Sequence, residues 1–257
     1  KIIEPIEKTL KSYPTFVEIM NSAGYSTKDV AENLCNISNN YIVLSDHDGV
    51  IGHTNSVKDM CLDAFCQTLW GEAITSAKLP TTLHREMHGR PMNEIFVAIA
   101  KDCYNKTISL HDGEKITERL NEYIRPEYIR RHMYDGARDF FLILRDIGTP
   151  MYVLTGMEPD MIADRFRYHN FDNIFKDILG APKTKEQNVA EILKNYQNRR
   201  IIATGDAMSE YKATMAYPGT IFLAFDMENR EKRVFPPEVN ILTSWGEIVW
   251  NELFQKL

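Results

Sequence analysis

The stretch Tyr41-Ile42-Val43-Leu44-Ser45-Asp46-His47-Asp48-Gly49-Val50-Ile51 is an apolar run that continues into two carboxylates one residue apart. Such a run, followed by a glycine turn, is typical of a buried strand. Side chains alternate between the two faces of a strand, so the pattern predicts that Asp46 and Asp48 point to one side and His47 away from them, in a structural role. A pair of acids in which one could attack a substrate or bind a metal, while the other moves a proton, indicates an enzyme.

The composition is that of an ordinary globular protein, because 44% of the residues are apolar and 26% are charged. A chain of 257 residues can form one domain with an insertion or two modest domains. The net charge of −6 argues against a general nucleic-acid binder, whose phosphate contacts need a basic surface. No apolar run approaches the roughly 20 residues of a membrane span and no signal-peptide pattern opens the chain, so a cytoplasmic protein without a membrane partner is expected.

The cysteines are not spaced as a metal site or a disulfide framework. All of them lie in the first half of the chain, without a close CxxC pair: Cys35, Cys61, Cys66 and Cys103. They are predicted to be packed, unreactive thiols.

The hydrophobic pattern changes twice along the chain. Residues 1–40 are predicted to be helical, with a break at Tyr13-Pro14. From 54 to 131 amphipathic segments at 56–70, 91–104 and 114–131 predict a helical unit, and His111-Asp112-Gly113 is interpreted as punctuation between helices. After that, helices alternate with short apolar strands. The predicted strands are 151–154, 200–203 and 220–224, with a short segment at 174–179, and the predicted helices are 136–147, 159–168, 186–197, 209–216 and 245–256.

Short strands that alternate with helices predict an α/β fold with a Rossmann-like parallel sheet covered on both faces. The strand at 41–45 belongs to this series, so residues 41–53 and 132–257 are expected to form the core. Residues 54–131 would then be a helical insertion, and residues 1–40 an extension that packs on the core.

Polar residues follow the predicted strands at their carboxyl ends, which is where parallel sheets bind ligands. Thr155-Gly156 ends one strand and Thr204-Gly205-Asp206 ends another, with Glu210 one helical turn later. The second acid pair suits a hard divalent cation. The loop Gly180-Ala181-Pro182-Lys183-Thr184-Lys185 supplies two lysine cations. Together, the two acid pairs, the threonine hydroxyl and a lysine indicate phosphoryl transfer assisted by Mg²⁺.

The order of these motifs resembles the haloacid dehalogenase (HAD) superfamily, in particular its C1-capped phosphatases such as phosphoglycolate phosphatase and the β-phosphoglucomutase-like enzymes. The first motif, DxDGV, matches residues 46–50, and the strand ending in Thr155-Gly156 matches the second. Gly205-Asp206 matches the GDxxxD motif, with Glu210 in place of its last aspartate. The resemblance covers about residues 41–226 and implies a HAD-like core with an inserted C1 cap at 54–131.

The resemblance implies a role for each motif residue. Asp46 would be the nucleophile and a Mg²⁺ ligand, and Asp48 the general acid and base, with its carbonyl also on the metal. Thr155 would bind the phosphoryl oxygens. Asp206 would hold Mg²⁺, and Glu210 would support that site.

Further roles follow for residues outside the acid motifs. Lys185 is favoured over Lys183 as the lysine that binds phosphate. Gly156 would contact the substrate through its backbone, and Arg90 and His53 are the candidates for substrate recognition. His53 stands where many relatives have an aspartate.

The function implied is a Mg²⁺-dependent phosphatase that hydrolyses a small phosphorylated metabolite through an aspartyl-phosphate. Asp48 disfavours dehalogenase and phosphonatase chemistry, since those relatives lack an acid there. A phosphomutase of the β-phosphoglucomutase type and a non-catalytic ligand-binding or partner-binding HAD-like domain are the alternatives. The sequence leaves the substrate and the oligomeric state open.

Overall fold

A computed structural model describes residues 3–71, 78–87, 90–181, 183–227 and 235–257. The chain divides into two compact units, one formed by residues 1–53 with 132–257 and the other by residues 54–131. The elements of the first unit are α1 (Ile3–Leu10), α2 (Pro14–Ser22), α3 (Thr27–Asn40), β1 (Tyr41–Ser45), α8 (Ala137–Asp146), β2 (Met151–Leu154), α9 (Pro159–Tyr168), β3 (Asp177–Leu179), α10 (Lys185–Leu193), β4 (Arg200–Gly205), α11 (Met208–Met215), β5 (Ile221–Phe225), β6 (Ile241–Leu242) and α12 (Glu247–Lys256). Those of the second are α4 (Asn55–Trp70), α5 (Pro80–Glu86), α6 (Met92–Tyr104) and α7 (Leu110–Arg130).

The strands of the first unit form a parallel sheet in the order β3-β2-β1-β4-β5-β6. The predicted fold class, an α/β Rossmann-like core, is confirmed. The chain order reverses direction between β1 and β4, and in such sheets ligands bind beyond the strand ends at that point. The register there pairs Ser45 with Thr204 on β4 and with Val153 on β2.

Burial on both faces explains why the strands read as continuous apolar runs. All five residues of β1 and of β5 are buried. Ile42 and Leu44 face a core cluster that includes Ile201 and Phe222 from the neighbouring strands. The β1 strand is therefore held from both sides, and its carboxyl end has little freedom to move.

The three N-terminal helices pack within the same unit as the sheet. The ring of Phe16 on α2 lies 4.9 Å from that of Trp250 on α12, and Tyr25 lies 5.3 Å from Phe254. Helix α3 leads directly into β1, and the hydroxyl of Ser38 donates to the carbonyl of Ile147.

Backbone pairing joins the two places where the chain leaves and re-enters the first unit. The amide of His53 donates to the carbonyl of His132 over 3.1 Å, and the amide of Tyr134 donates to the carbonyl of Ile51 over 3.0 Å. Gly52 and Met133 form the antiparallel bridge between these hydrogen bonds. The ends of the 54–131 insertion are therefore held side by side.

The second unit differs from the sequence prediction at two places. Helix α5 was not predicted. Helix α7 begins at Leu110 rather than near 114, because Ser109 and Asp112 form a capping box at its start. The interpretation of 111–113 as a break between helices was wrong: Gly113 lies inside α7, where its missing side chain lets α7 approach the backbone of Asn93.

Smaller differences occur in the first unit. Helix α10 ends at Leu193, short of the predicted 197, and the two-residue strand β6 was not predicted. The final helix begins at Glu247 rather than at 245, and Trp245 before it is buried and donates from Nε1 to the carbonyl of Val50 over 2.8 Å. No described helix is long and apolar enough to cross a membrane.

We expect Gly113→Ala to destabilise the protein, although alanine normally favours a helix over glycine. The added Cβ would lie 2.6 Å from the carbonyl oxygen of Asn93, so the contact between α6 and α7 has to open. Overpacking of this kind costs about 1–3 kcal/mol of the free energy of unfolding. Urea denaturation measures it, with Glu118→Ala, at an exposed position of the same helix, as the control. An equal or greater stability of Gly113→Ala would contradict this packing.

Candidate active site

Asp46 is the first residue beyond β1, and its backbone is tied to the neighbouring strand. Its amide donates to the carbonyl of Thr204 on β4 over 2.9 Å. The side chain is only 7% exposed. A nearly buried carboxylate at the switch point of the sheet requires a cationic or hydrogen-bonding partner.

That partner is Lys185, the first residue of α10. Thr184 caps this helix: its hydroxyl accepts from the amide of Gln187, and the Gln187 side chain accepts from the Thr184 amide. This capping box fixes where α10 begins and so which lysine of the loop turns inward.

Lys185 lies between two carboxylates. Its Nζ is 2.7 Å from Oδ1 of Asp46 and also contacts Oε1 of Glu210. Lys183 instead forms an exposed ion pair with Glu191. The loop therefore places Lys185, and not Lys183, beside the candidate nucleophile.

Glu210 is positioned by the first turn of α11. Its Oε2 accepts from the amide of Ala207 over 3.0 Å, and its Oε1 accepts from the hydroxyl of Ser209 over 2.6 Å. The turn needs a glycine at 205, since a Cβ there would lie 2.6 Å from the Cβ of Glu210. Ser209 was not singled out in the sequence, because a serine next to a motif glutamate carries no spacing signal of its own.

Carboxylates from two chain segments converge at this point. Oxygen atoms of Asp46, Asp206 and Glu210 all lie within 4.8 Å of one another. The ammonium of Lys185 contacts two of these carboxylates, those of the buried residues Asp46 and Glu210. An oxygen-liganded divalent cation fits the set of three carboxylates.

The pKa shifts reflect the same crowding. Burial is the main cause that raises the pKa of the Asp46 carboxyl well above its ordinary range. The ammonium of Lys185 opposes this rise. The neighbouring carboxylates of Glu210, Asp206 and Asp48 raise the pKa of Asp46 further. Burial also disfavours the charged form of Lys185, but Asp46 and Glu210 outweigh it and raise the pKa of the ammonium. Burial raises the pKa of Glu210, but Lys185 outweighs this effect and the net pKa is lowered. Lys185 is thus held as a cation.

The second acid, Asp48, lies in a tight loop beyond the end of β1. The amides of Ile51 and Gly52 both donate to the carbonyl of His47, over 2.9 and 3.0 Å. Asp48 is 8% exposed, and its Oδ1 is 3.0 Å from Nδ1 of His47. The expectation that His47 points away from the acids was therefore wrong: β1 ends at Ser45, and strand alternation does not extend into the loop.

Thr155 and Gly156 follow β2, the strand on the other side of β1. The Thr155 hydroxyl is buried and accepts from the amide of Met157 over 3.0 Å, so its proton can be donated elsewhere. Gly156 is exposed, and a Cβ at this position would meet no atom within 4 Å. The open space leaves its backbone accessible to a ligand.

The two candidates for substrate recognition differ in their surroundings. His53 is exposed and its ring lies 5.2 Å from that of Tyr134 in the first unit. Arg90, in the second unit, forms an exposed ion pair with Glu94 one helical turn away. Their predicted roles stay predictions.

Comparison with known families identifies the chain. The profile of the haloacid dehalogenase-like hydrolases matches residues 42–214. The chain belongs to this family. The match spans the strand before Asp46, the insertion and the helix that carries Glu210, and the recognition made from the sequence motifs is confirmed. A comparison with curated proteins finds no match.

Solved structures with the same fold as this HAD-like chain come from several organisms. A HAD hydrolase of family IA, variant 3, from Entamoeba histolytica has 15% identity and a TM-score of 0.67, covering 84% of this chain and 98% of its own. A predicted phosphoglycolate phosphatase from Haemophilus somnus has 14% identity and a TM-score of 0.64 over 82% and 96% of the two chains. YfnB from Bacillus subtilis, a structure bound to magnesium, has 15% identity and a TM-score of 0.60 over 83% and 98%. At these identities the likeness establishes the fold.

We expect Lys185→Met to destabilise the protein in buffer containing EDTA. The substitution leaves Asp46 and Glu210 buried without the ammonium between them, and breaking such a pair costs about 3–5 kcal/mol of the free energy of unfolding. Urea denaturation measures the change. Lys183→Met is the matched control, since its pair with Glu191 is exposed and its loss should change stability little. Equal effects of the two substitutions would contradict the central place of Lys185.

Proposed function

We propose that the chain is a Mg²⁺-dependent phosphatase that hydrolyses a small phosphorylated metabolite through an aspartyl-phosphate. The observation that carries the proposal is the contact of one lysine with Asp46 and Glu210, beside the carboxylate of Asp206. A phosphoryl group brings further negative charge to such a site, so a fixed ammonium and a metal ion are the groups that its binding requires.

The proposed chemistry uses the two acids of the first motif in different ways. Asp46 attacks phosphorus while Asp48 gives a proton to the leaving oxygen. Asp48 then takes a proton from water, which attacks the phosphorus of the aspartyl-phosphate and restores Asp46. Thr155 donates to a phosphoryl oxygen, and Lys185 neutralises charge on Asp46 and on the phosphoryl group.

Mg²⁺ would be held by Asp46 and Asp206 together with the carbonyl of Asp48, and Glu210 would support the site. The ion would supply positive charge that lowers the barrier to attack on the phosphoryl group. The convergence of three carboxylates supports this assignment, and the magnesium bound to the B. subtilis protein agrees with it.

Substrate recognition is proposed to lie outside these acids. The 54–131 insertion would act as the C1 cap, with Arg90 as its contact to the substrate, and His53 and the backbone of Gly156 would contribute from the core. A cationic and an imidazole group would suit a substrate with a second anionic or hydroxyl group beyond its phosphate.

We predict that Asp46→Asn abolishes the release of phosphate from every substrate that the wild-type protein hydrolyses. The amide is not a nucleophile, so turnover should fall by about 10⁴-fold or more. The measurement is phosphate release in Mg²⁺ over a panel of sugar phosphates, phosphoglycolate, glycerol phosphates and nucleotides. Lys183→Ala, which removes an exposed lysine of the same loop, is the control and should retain wild-type rates.

Three outcomes would contradict the proposal or favour one of its alternatives. Formation of an isomeric sugar phosphate in place of free phosphate would indicate the phosphomutase alternative. Phosphate release by Asp46→Asn at the wild-type rate would contradict the aspartyl-phosphate mechanism. Absence of turnover over the whole panel would favour the non-catalytic HAD-like binding domain.

We also predict that Mg²⁺ raises the melting temperature and that Asp206→Asn weakens this effect. A ligand at 100 times its dissociation constant stabilises the folded state by about 2.7 kcal/mol. Asp139→Asn, a charge-matched change at an exposed position of α8, should respond to Mg²⁺ as the wild-type protein does. Equal Mg²⁺ responses of the Asp206→Asn and Asp139→Asn variants would show that the ion binds elsewhere.

A further inference from the structure

His47, the residue between the two acids in the sequence, is fully buried and directed at one of them. Its Nδ1 is 3.0 Å from Oδ1 of Asp48. A carboxylate only accepts hydrogen bonds, so Nδ1 is the nitrogen that carries the proton in this contact. The hydrogen bond occupies Oδ1 of Asp48.

The pocket around the imidazole is closed on several sides. A Cβ on Gly52 would lie 2.9 Å from Cε1 of His47 and 3.0 Å from Nη2 of Arg165. Arg165 is itself fully buried and donates from Nη2 to the carbonyl of His132 over 2.8 Å. The ring of Phe166 lies 5.6 Å from that of His47. The imidazole therefore has little room to turn away from Asp48.

The backbone of His47 is fixed as firmly as its side chain. Its carbonyl accepts from the amides of Ile51 and Gly52, and Asp48 pairs with Gly52 in a backbone bridge. A side-chain hydrogen bond between adjacent residues holds a geometry only when the intervening backbone is rigid, as it is here. The contact from His47 therefore holds Oδ1 of Asp48 in a fixed place.

We propose that His47 is the positioning residue for Asp48, holding its Oδ1 so that Oδ2 delivers and accepts the catalytic proton. The proposal rests on the phosphatase function given above. In the first step Oδ2–H protonates the leaving oxygen as its bond to phosphorus breaks and the bond from Asp46 forms. In the second step Oδ2 takes the proton of the attacking water as the aspartyl-phosphate bond breaks. His47 keeps its proton throughout.

The first test compares two substitutions on two matched esters, phenyl phosphate and p-nitrophenyl phosphate. His47→Leu removes the donor, whereas His47→Asn keeps an N–H close to the position of Nδ1. Nitrophenolate leaves readily without protonation and phenolate does not, so His47→Leu should lower kcat about tenfold or more on phenyl phosphate and much less on the nitrophenyl ester. His47→Asn should recover most of the loss. Phe166→Leu, which alters the packing of the imidazole and keeps its hydrogen bond, should change kcat on the two esters by the same factor.

A second measurement does not depend on turnover. Nitrogen NMR of histidine-labelled wild-type protein should find the His47 proton on Nδ1, and crystal structures should show the Asp48 carboxylate rotated in His47→Leu and unmoved in His47→Asn. Equal losses on the two esters, a proton on Nε2 instead, or an unmoved Asp48 in His47→Leu would each overturn the proposal. If the wild-type protein hydrolyses neither ester nor any metabolite of the panel, the phosphatase function fails, and the NMR and crystallographic results still decide the contact.

Discussion

The ion pairs of Lys185 connect three parts of the chain that are far apart in sequence. They bring the end of β1, the start of α10 and the first turn of α11 to one point through Asp46 and Glu210. All three side chains are largely buried, so the two carboxylates depend on the ammonium to remain ionised, and the ammonium depends on them. The capping of α10 by Thr184 and the glycine before α11 serve this arrangement, because each fixes a helix start relative to a strand end.

Much of the first unit could be predicted from the sequence because its strands are buried on both faces. A run such as 41–45 or 151–154 has no polar face to confuse the pattern, and helices separate the runs. The acids at 46, 48 and 206 could be found for the same reason, because they follow apolar runs at the strand ends, and Glu210 lies one helical turn beyond Asp206. The choice between the two lysines depends on where α10 begins, which a capping box sets through local hydrogen bonds. That box is visible in the sequence as Thr184 and Gln187, and it would have favoured Lys185 on physical grounds.

The errors have a common cause, which is the use of a local sequence pattern where tertiary contacts decide the structure. The alternation of β1 was extended into a loop, so the contact between His47 and Asp48 was missed. At Gly113 the predicted helix instead began too late, because a glycine that permits close helix packing was interpreted as a turn. In both cases tertiary contacts, with Arg165 and Phe166 near His47 and with Asn93 near Gly113, decide the local structure.

The hydrogen bond between His53 and His132 has a consequence for how the family can vary. Because it closes the chain at the two ends of the insertion, the sheet unit contains the 54–131 segment as a loop with adjacent, fixed ends. The entropy that is lost on closing a loop grows only with the logarithm of its length. Insertions of different length therefore reduce the stability of the sheet unit by nearly the same free energy. The insertion can therefore diverge in sequence and length while the carboxylates and the lysine keep their positions.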